Sequence, residues 1–302
     1  MGSIDVRPVG STPGLDLANR AAVLGHGRLP YVLSGALAVV AGVSAAFSLF
    51  YPSLLGGVAV GRGNLRGTAL IVLVIGVPVL VGGMVVGVRG SARALVLWLG
   101  ATAYLLYQAV MFCFATPMNN LFLLYVAYLG LGIWTLIALV RRIDINGFAV
   151  RTDAGLPVRA IAGITGAVAV LNALAWLGRI VPVVFTSDPS SVLDGSGLLT
   201  NPVWVQDLAF WIPLVVLAAV WMWRRLPWGI LLTGSMLAFY VIESLSIASD
   251  QWWGARADAS MPDFASMSAV PAFLVAAVLT ALPLVWYLRH LDRTDRTAAR
   301  LG

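Results

Sequence analysis

Eight apolar runs constrain this chain more than any other feature. Each is about as long as the roughly 20 residues a helix needs to cross a hydrocarbon core. They cover residues 31–50, 67–88, 94–114, 121–140, 159–183, 204–223, 228–249 and 269–288, and the short connections between them carry nearly all the charge. The pattern predicts an all-α, polytopic membrane helix bundle of about eight transmembrane helices. Of 302 residues, 60% are hydrophobic and 11% charged, with a mean hydropathy of +0.92, which leaves no room for a second soluble domain. The expected organisation is an N-terminal tail, 1–30, a bundle, 31–288, and a C-terminal tail, 289–302. Loop 141–158 divides the bundle into halves 31–140 and 159–288. No signal peptide is expected, because the first apolar run continues as a full span.

The net charge of +6 reads as a topology signal once the arginines are placed. If the helices alternate, Arg7, Arg20, Arg28, Arg89, Arg93, Arg141, Arg142, Arg151, Arg159, Arg224, Arg225, Arg289, Arg293, Arg296 and Arg300 share one side. The other side has Arg62, Arg66 and Arg256, with Asp188, Asp194, Asp250, Asp258 and Asp263. This bias predicts that both termini are cytoplasmic. Membrane lipids, anionic ones included, are the expected partners, and nucleic acid is not. Trp204, Trp252 and Trp253 mark the outer boundary, and Trp221, Trp223, Trp228 and Trp286 the inner one.

Several chemistries are excluded by what the chain lacks. It has no lysine for a Schiff base, and its two histidines, His26 and His290, lie outside the apolar runs. Cys113 is the sole cysteine, so no intrachain disulfide or CxxC relay can form. Neither HExxH nor GxSxG occurs. No metal, no cofactor and no catalytic residue is therefore assigned, and a non-enzymatic role is favoured.

Sliding the halves past each other places Pro78 on Pro213, Arg89 on Arg224 and Gln108 on Glu243 at one constant separation. That predicts a parallel 4+4 internal repeat, as in some transporters, with chance alignment of apolar helices as the alternative. Gly83-x-x-x-Gly87 and the pairs Gly163/Gly166 and Gly130/Gly132 predict close helix packing.

An ionisable group at a span centre costs about 2.5–3.5 kcal/mol on insertion scales and generally faces a bundle interior or wet cavity. Arg179, Asp207 and Glu243, the only glutamate in the chain, all fall in the outer half of their spans. Helical spacing adds Asn172 and Trp176 to the face of Arg179, and Tyr240, Ser246 and Asp250 to that of Glu243. Tyr104, Tyr107, Gln108 and Met111 share a face of span 3. The candidate ligand-binding set is Glu243, Arg179, Asp207, Gln108, Tyr104, Tyr107, Asn172 and Tyr240. In one reading Arg179 pairs with Asp207 or Glu243 to hold spans 5–7 in register. In the other, Glu243 is a protonatable group in a water-filled cleft and Arg179 receives an anionic group. Thr200 or Asn201 is placed to cap span 6, which Pro213 should bend below Asp207.

YLLYQ at Tyr104–Gln108, MNNLFLLYVAYLGLG at Met118–Gly132, TNPVWVQDLAFWIP at Thr200–Pro213 and RRLPWG at Arg224–Gly229 resemble a family of bacterial, actinobacterial-like multi-pass integral membrane proteins. The resemblance implies fold and location, and the family has no established activity to carry over. Its relatives have an asparagine near Gln108 and a histidine near Trp204, so no role of that histidine transfers to this chain. Three function classes follow. The first binds or transports a small or lipidic molecule through an outer polar pocket. The second is an accessory or scaffold subunit that meets a membrane-protein partner. The third is an intramembrane enzyme with Glu243 or Asp207 as acid or base, for which no nucleophile-plus-base arrangement is visible.

Overall fold

A computed structural model describes residues 23–25 and 27–292. The tail arginines Arg7, Arg20, Arg293, Arg296 and Arg300, together with His26, lie outside the described residues. Among the described residues eight helices are long and apolar enough to cross a membrane, so the chain is a multi-pass membrane protein. They are α1 (Leu29–Phe50), α2 (Ala59–Gly87), α3 (Ala92–Phe114), α4 (Phe122–Val140), α5 (Val158–Val184), α6 (Pro202–Trp223), α7 (Pro227–Ala257) and α8 (Val270–Arg289). The 18-residue apolar windows of α3 and α7 are 83% and 78% buried, against 22–39% for the other six. These two are therefore the central helices, and the rest ring them with apolar side chains turned outward.

Two elements run further than hydropathy predicts. The second span begins at Ala59 and the seventh continues to Ala257. Arg62, Asn64 and Arg66 depress the hydropathy of the first extension, but Gly63, Asn64 and Gly67 lie against α7. A methyl group on Gly63 would lie 2.6 Å from the Trp253 carbonyl oxygen, and one on Gly67 would lie 2.6 Å from the Asp250 Cα. Gly254 in turn faces Asn64. The two helices thus meet backbone to backbone, the approach small residues permit. The two arginines have local uses. Arg62 donates to the Gly57 carbonyl, and Arg66 donates to Leu49 at 3.2 Å with its guanidinium 4.3 Å from the Trp253 ring centre. These contacts account for the positive charges on the predicted outer side.

The predicted glycine contacts divide. Gly83 and Gly87 admit Trp98, and Gly132 admits Leu106. Gly163 and Gly130 have nothing within 4 Å, and Gly166 makes only ordinary contact with Ala219. Glycines at the former positions serve packing between helices, whereas Gly163 and Gly130 open to the surroundings.

The two halves share local structure beyond the aligned residues. Each second span widens into a π turn just before its proline, Val72–Gly76 before Pro78 and Asp207–Trp211 before Pro213. Proline has no N–H to bond back and its ring crowds the preceding turn, which the wider turn relieves. After these helices, Gly90 (φ 74) and Arg225 (φ 58) turn the chain left-handed, Ser91 and Leu226 are extended, and the next helices start at Ala92 and Pro227. Every pair has the 135-residue separation of Gln108 and Glu243. Each half is also closed by the same strap. Leu24 bridges Ile143 and Thr152 bridges Leu291, both antiparallel. Gly25 N–H donates to Arg142 and Asp144 N–H to Val23, while Asp153 N–H donates to His290 and Asp292 N–H to Arg151. The symmetry is broken where α1 packs along both α2 and α4, whereas α5 packs along α6 but barely touches α8.

The connections are locally capped. Asp144 accepts from Asn146 and Gly147 N–H to start a short helix, Ile145–Val150, within the loop between the halves. Asp292 accepts from Ser91 Oγ at 2.9 Å and from Ala92 N–H at 3.1 Å, which ties the end of α8 to the start of α3. Asn201, one of two predicted candidates, caps α6 by accepting from Val203 N–H at 3.0 Å.

Gly67→Ala should lower the apparent melting temperature in detergent by several degrees, an overpacking cost of about 1–3 kcal/mol. Gly82→Ala, whose added methyl meets open space, should leave it unchanged. Thermal unfolding followed by circular dichroism compares the two.

Candidate functional site

The predicted polar residues assemble around α7, with one exception. On α7, Tyr240, Glu243, Ser246 and Asp250 fall on one side at intervals of three and four residues. Against them α3 presents Tyr104, Tyr107 and Gln108, all buried. Gln108 Nε2 donates to Glu243 Oε2 at 2.6 Å, and Tyr104 Oη donates to Ser246 Oγ at 3.2 Å. One step nearer the α2–α7 contact, Thr68 Oγ1 donates to Asp250 Oδ1 at 2.9 Å and Ser249 Oγ donates to the Gly67 carbonyl at 3.0 Å. Glu243 is 8% exposed, whereas Asp250 is half-buried.

On the other flank of Glu243 lies Asp207, 6% exposed, at the first position of the π turn in α6. The indole N–H of Trp176 donates to its carboxylate at 2.7 Å and Asn172 Nδ2 lies at 3.5 Å, both from α5. The Tyr107 hydroxyl faces the same carboxylate. The Tyr240 hydroxyl lies near Asn172, Asp207 and Glu243, and that buried oxygen has no hydrogen-bond partner. Beneath the group, Trp211 stacks on Phe239 at 5.1 Å and 13°, and Tyr107 packs against both rings. This aromatic floor fastens α6 to the central pair. Because the wide turn replaces one turn of α6, it displaces the carbonyls around Asp207 and leaves Leu208 and Ala209 on the outer wall.

Arg179 is the exception. Its side chain is exposed and forms no ion pair with Asp207 or Glu243, so it does not join the cluster. The physical reason is that α5 packs mainly on α6 and makes little contact with α7, so most side chains past Trp176 stay exposed. The indole of Trp176, three residues earlier, takes the place at Asp207 that an arginine was expected to hold. Register of α5 to α6 is thus set by a neutral donor. The guanidinium is left at the surface, on the residue that precedes Ile180 in the chain.

Ile180 lines an open, mainly apolar recess of about 460 Å³ between α5 and α6, with Thr200, Asn201, Trp204, Val205, Leu208 and Ala209. Trp204 packs against Trp176 at 6.4 Å between ring centres, so one aromatic pair separates the recess from Asp207. Neither Glu243 nor Gln108 lines it. The predicted polar faces therefore converge on one another, and the open space lies one layer away, behind the Trp176 indole.

Thr68 and Ser249 belong to the polar group but were not singled out from the sequence. Gly63-x-x-x-Gly67 was the signal that could have found them, since the close approach it permits is what brings Thr68 to Asp250. Among the described residues no group of three or more His, Cys, Asp or Glu side chains could hold a metal ion. No protein-family model matches the chain, and comparison with curated proteins and with solved structures finds no match.

Replacing Gln108 by leucine leaves the buried Glu243 carboxyl without its donor, at a cost of about 1–3 kcal/mol. Converting both to leucine should cost clearly less than the sum of the single changes, because neither polar group is then stranded. A double-mutant cycle on denaturant unfolding in micelles reads the coupling.

Proposed function

We propose that the protein binds and transports a small or lipidic amphiphile in the outer half of a bacterial plasma membrane, with both termini cytoplasmic. The ligand enters sideways from the bilayer into the recess between α5 and α6. Its apolar part lies against Val205, Leu208 and Ala209, and an anionic end meets the unpaired guanidinium of Arg179. The observation that carries this reading is the position of the recess: its wall is the widened turn of α6 that also holds Asp207. A ligand pressing on Trp204 thereby acts on Trp176 and on the Asp207 hydrogen bond. The sidedness follows from the arginine distribution, which favours the terminal side as cytoplasmic. The matched π turns and prolines of the two halves support a transporter-like architecture, in which broken helices surround a site near the repeat interface.

A second reading, an accessory subunit of a membrane complex, is favoured by one observation. The carboxylates of Glu243 and Asp207 accept from protein donors in a packed layer and do not line the open recess. In that case the cluster only fixes helix packing and the recess receives a partner helix.

Native mass spectrometry of protein extracted in lipid nanodiscs separates these readings. The wild type should release a discrete bound mass, Ala209→Trp should abolish it by filling the recess, and Arg179→Ala should weaken it, all with unchanged melting temperature. A bare wild-type protein, or a bound mass indifferent to both substitutions, would contradict the transport reading.

A further inference from the structure

The three carboxylates in or beside the membrane layer, Asp207, Glu243 and Asp250, form no ion pair among the described residues, and the chain contains no lysine. A charge held there without a counterion is costly, so such a group takes up either a cation or a proton. The arrangement discriminates between these. The carboxylates are strung out along the α7 side, not gathered, and no group of three or more ligating side chains is close enough to hold a metal ion among the described residues. What lies between them is a series of hydroxyl and amide groups. Thr68 donates to Asp250, Tyr104 to Ser246 and Gln108 to Glu243, and the Tyr107 and Tyr240 hydroxyls lie within electrostatic reach of both Glu243 and Asp207. The Tyr240 hydroxyl is buried and without a hydrogen-bond partner, as expected of a donor that serves a changing acceptor. Hydroxyl groups can accept one proton as they release another. Asp250, at the outer end of this series, is the least buried residue of the three.

We infer that Glu243 exchanges a proton with the outer aqueous face through Asp250 and the Tyr104–Ser246 hydroxyl pair, and that this exchange is the ion coupling for the site beside Asp207. The coupling clause rests on the transport reading, whereas the exchange itself does not. In the inward step, hydronium protonates the Asp250 carboxylate. Asp250 then passes a proton to the hydroxyl pair, which delivers one to the Glu243 carboxylate while Asp250 returns to the carboxylate form. No bond other than O–H changes and no oxidation state alters. The titratable or polar groups facing Glu243 are Gln108, Tyr104 and Tyr107 from α3, Tyr240 and Asp250 from α7, and Asp207 from α6, so no fixed cation opposes or replaces the proton.

Glu243 is the only glutamate in the chain, which makes the test specific. Protein carrying carbon-13 carboxyl-labelled glutamate is followed by infrared spectroscopy after a rapid pH jump in micelles. The labelled band should convert reversibly between carboxyl and carboxylate forms. Asp250→Asn and Tyr104→Phe should each slow the conversion by about tenfold or more without changing its end points. Circular dichroism confirms that each variant is folded, and either variant alone suffices if the other does not fold. A band that ignores pH, or a conversion that neither folded variant slows, would overturn the proposal. No ligand is present, so failure here leaves the lipid-binding reading standing, and an absent bound mass leaves proton exchange standing.

Discussion

The backbone contact between α2 and α7 is the constraint on which the rest of the arrangement depends. Without side chains at Gly63, Gly67 and Gly254 the two helices close to a distance that any larger residue would forbid. In a bilayer there is no hydrophobic drive to bring helices together, so such dispersion and hydrogen-bond contacts must supply the association. This one crosses between the halves of the chain and holds the outer extension of α7 upright. It also sets Asp250 against Thr68 and the Gly67 carbonyl against Ser249. Further down, the same register presents Ser246 to Tyr104 and Glu243 to Gln108. The straps that join Leu24 to Ile143 and Thr152 to Leu291 close each half on the opposite side of the membrane. The bundle is thus fastened at both ends, with the polar layer between.

The second half departs from the first in a way that bears on function. In the first half α1 and α4 pack together, while in the second α5 leaves α8 and follows α6. The departure opens the recess, exposes Arg179 and replaces an expected ion pair with the Trp176–Asp207 hydrogen bond. A neutral donor on an otherwise unpaired carboxylate is a weaker lock than a guanidinium would be, and hydrogen bonds between membrane helices are individually modest. The α5–α6 flank is accordingly the place where a small push has leverage, and the widened turn of α6 gives that push a route to Asp207.

Much of the architecture was legible in the sequence because the bilayer imposes it. Spans 1, 3, 4, 5, 6 and 8 fall within a few residues of their predicted bounds, since hydropathy measures the same burial that lipid enforces. The ends of α2 and α7 were missed for a definite reason. Arg62, Asn64 and Arg66 read as loop charges, and only the glycines between them reveal a helix with one face against a neighbour. The pairing of Gln108 with Glu243 was foreshadowed by their alignment at equivalent positions of the two halves. Arg179 was misplaced because helical spacing tells which residues share a face but not where that face points. The spacing that linked it to Asn172 and Trp176 holds, but α5 makes little contact with α7, which leaves the arginine at the surface. Nothing in composition predicts such a departure, which is set by which neighbours each helix loses.

The cross-half contact is tested most directly by a disulfide. Cys113 is the sole cysteine, so Cys113→Ser gives a background into which Thr68→Cys and Asp250→Cys can be introduced. Their side chains hydrogen-bond at 2.9 Å in the native chain, which makes this pair the natural place to probe the contact by cross-linking. Cleavage at a protease site inserted in the loop 141–158 then releases the halves unless the bridge holds them. The account predicts that, after mild oxidation, the halves migrate together in denaturing gels and separate on reduction. Halves that separate without reduction would contradict the placement of α2 against α7 and, with it, the polar layer built upon that contact.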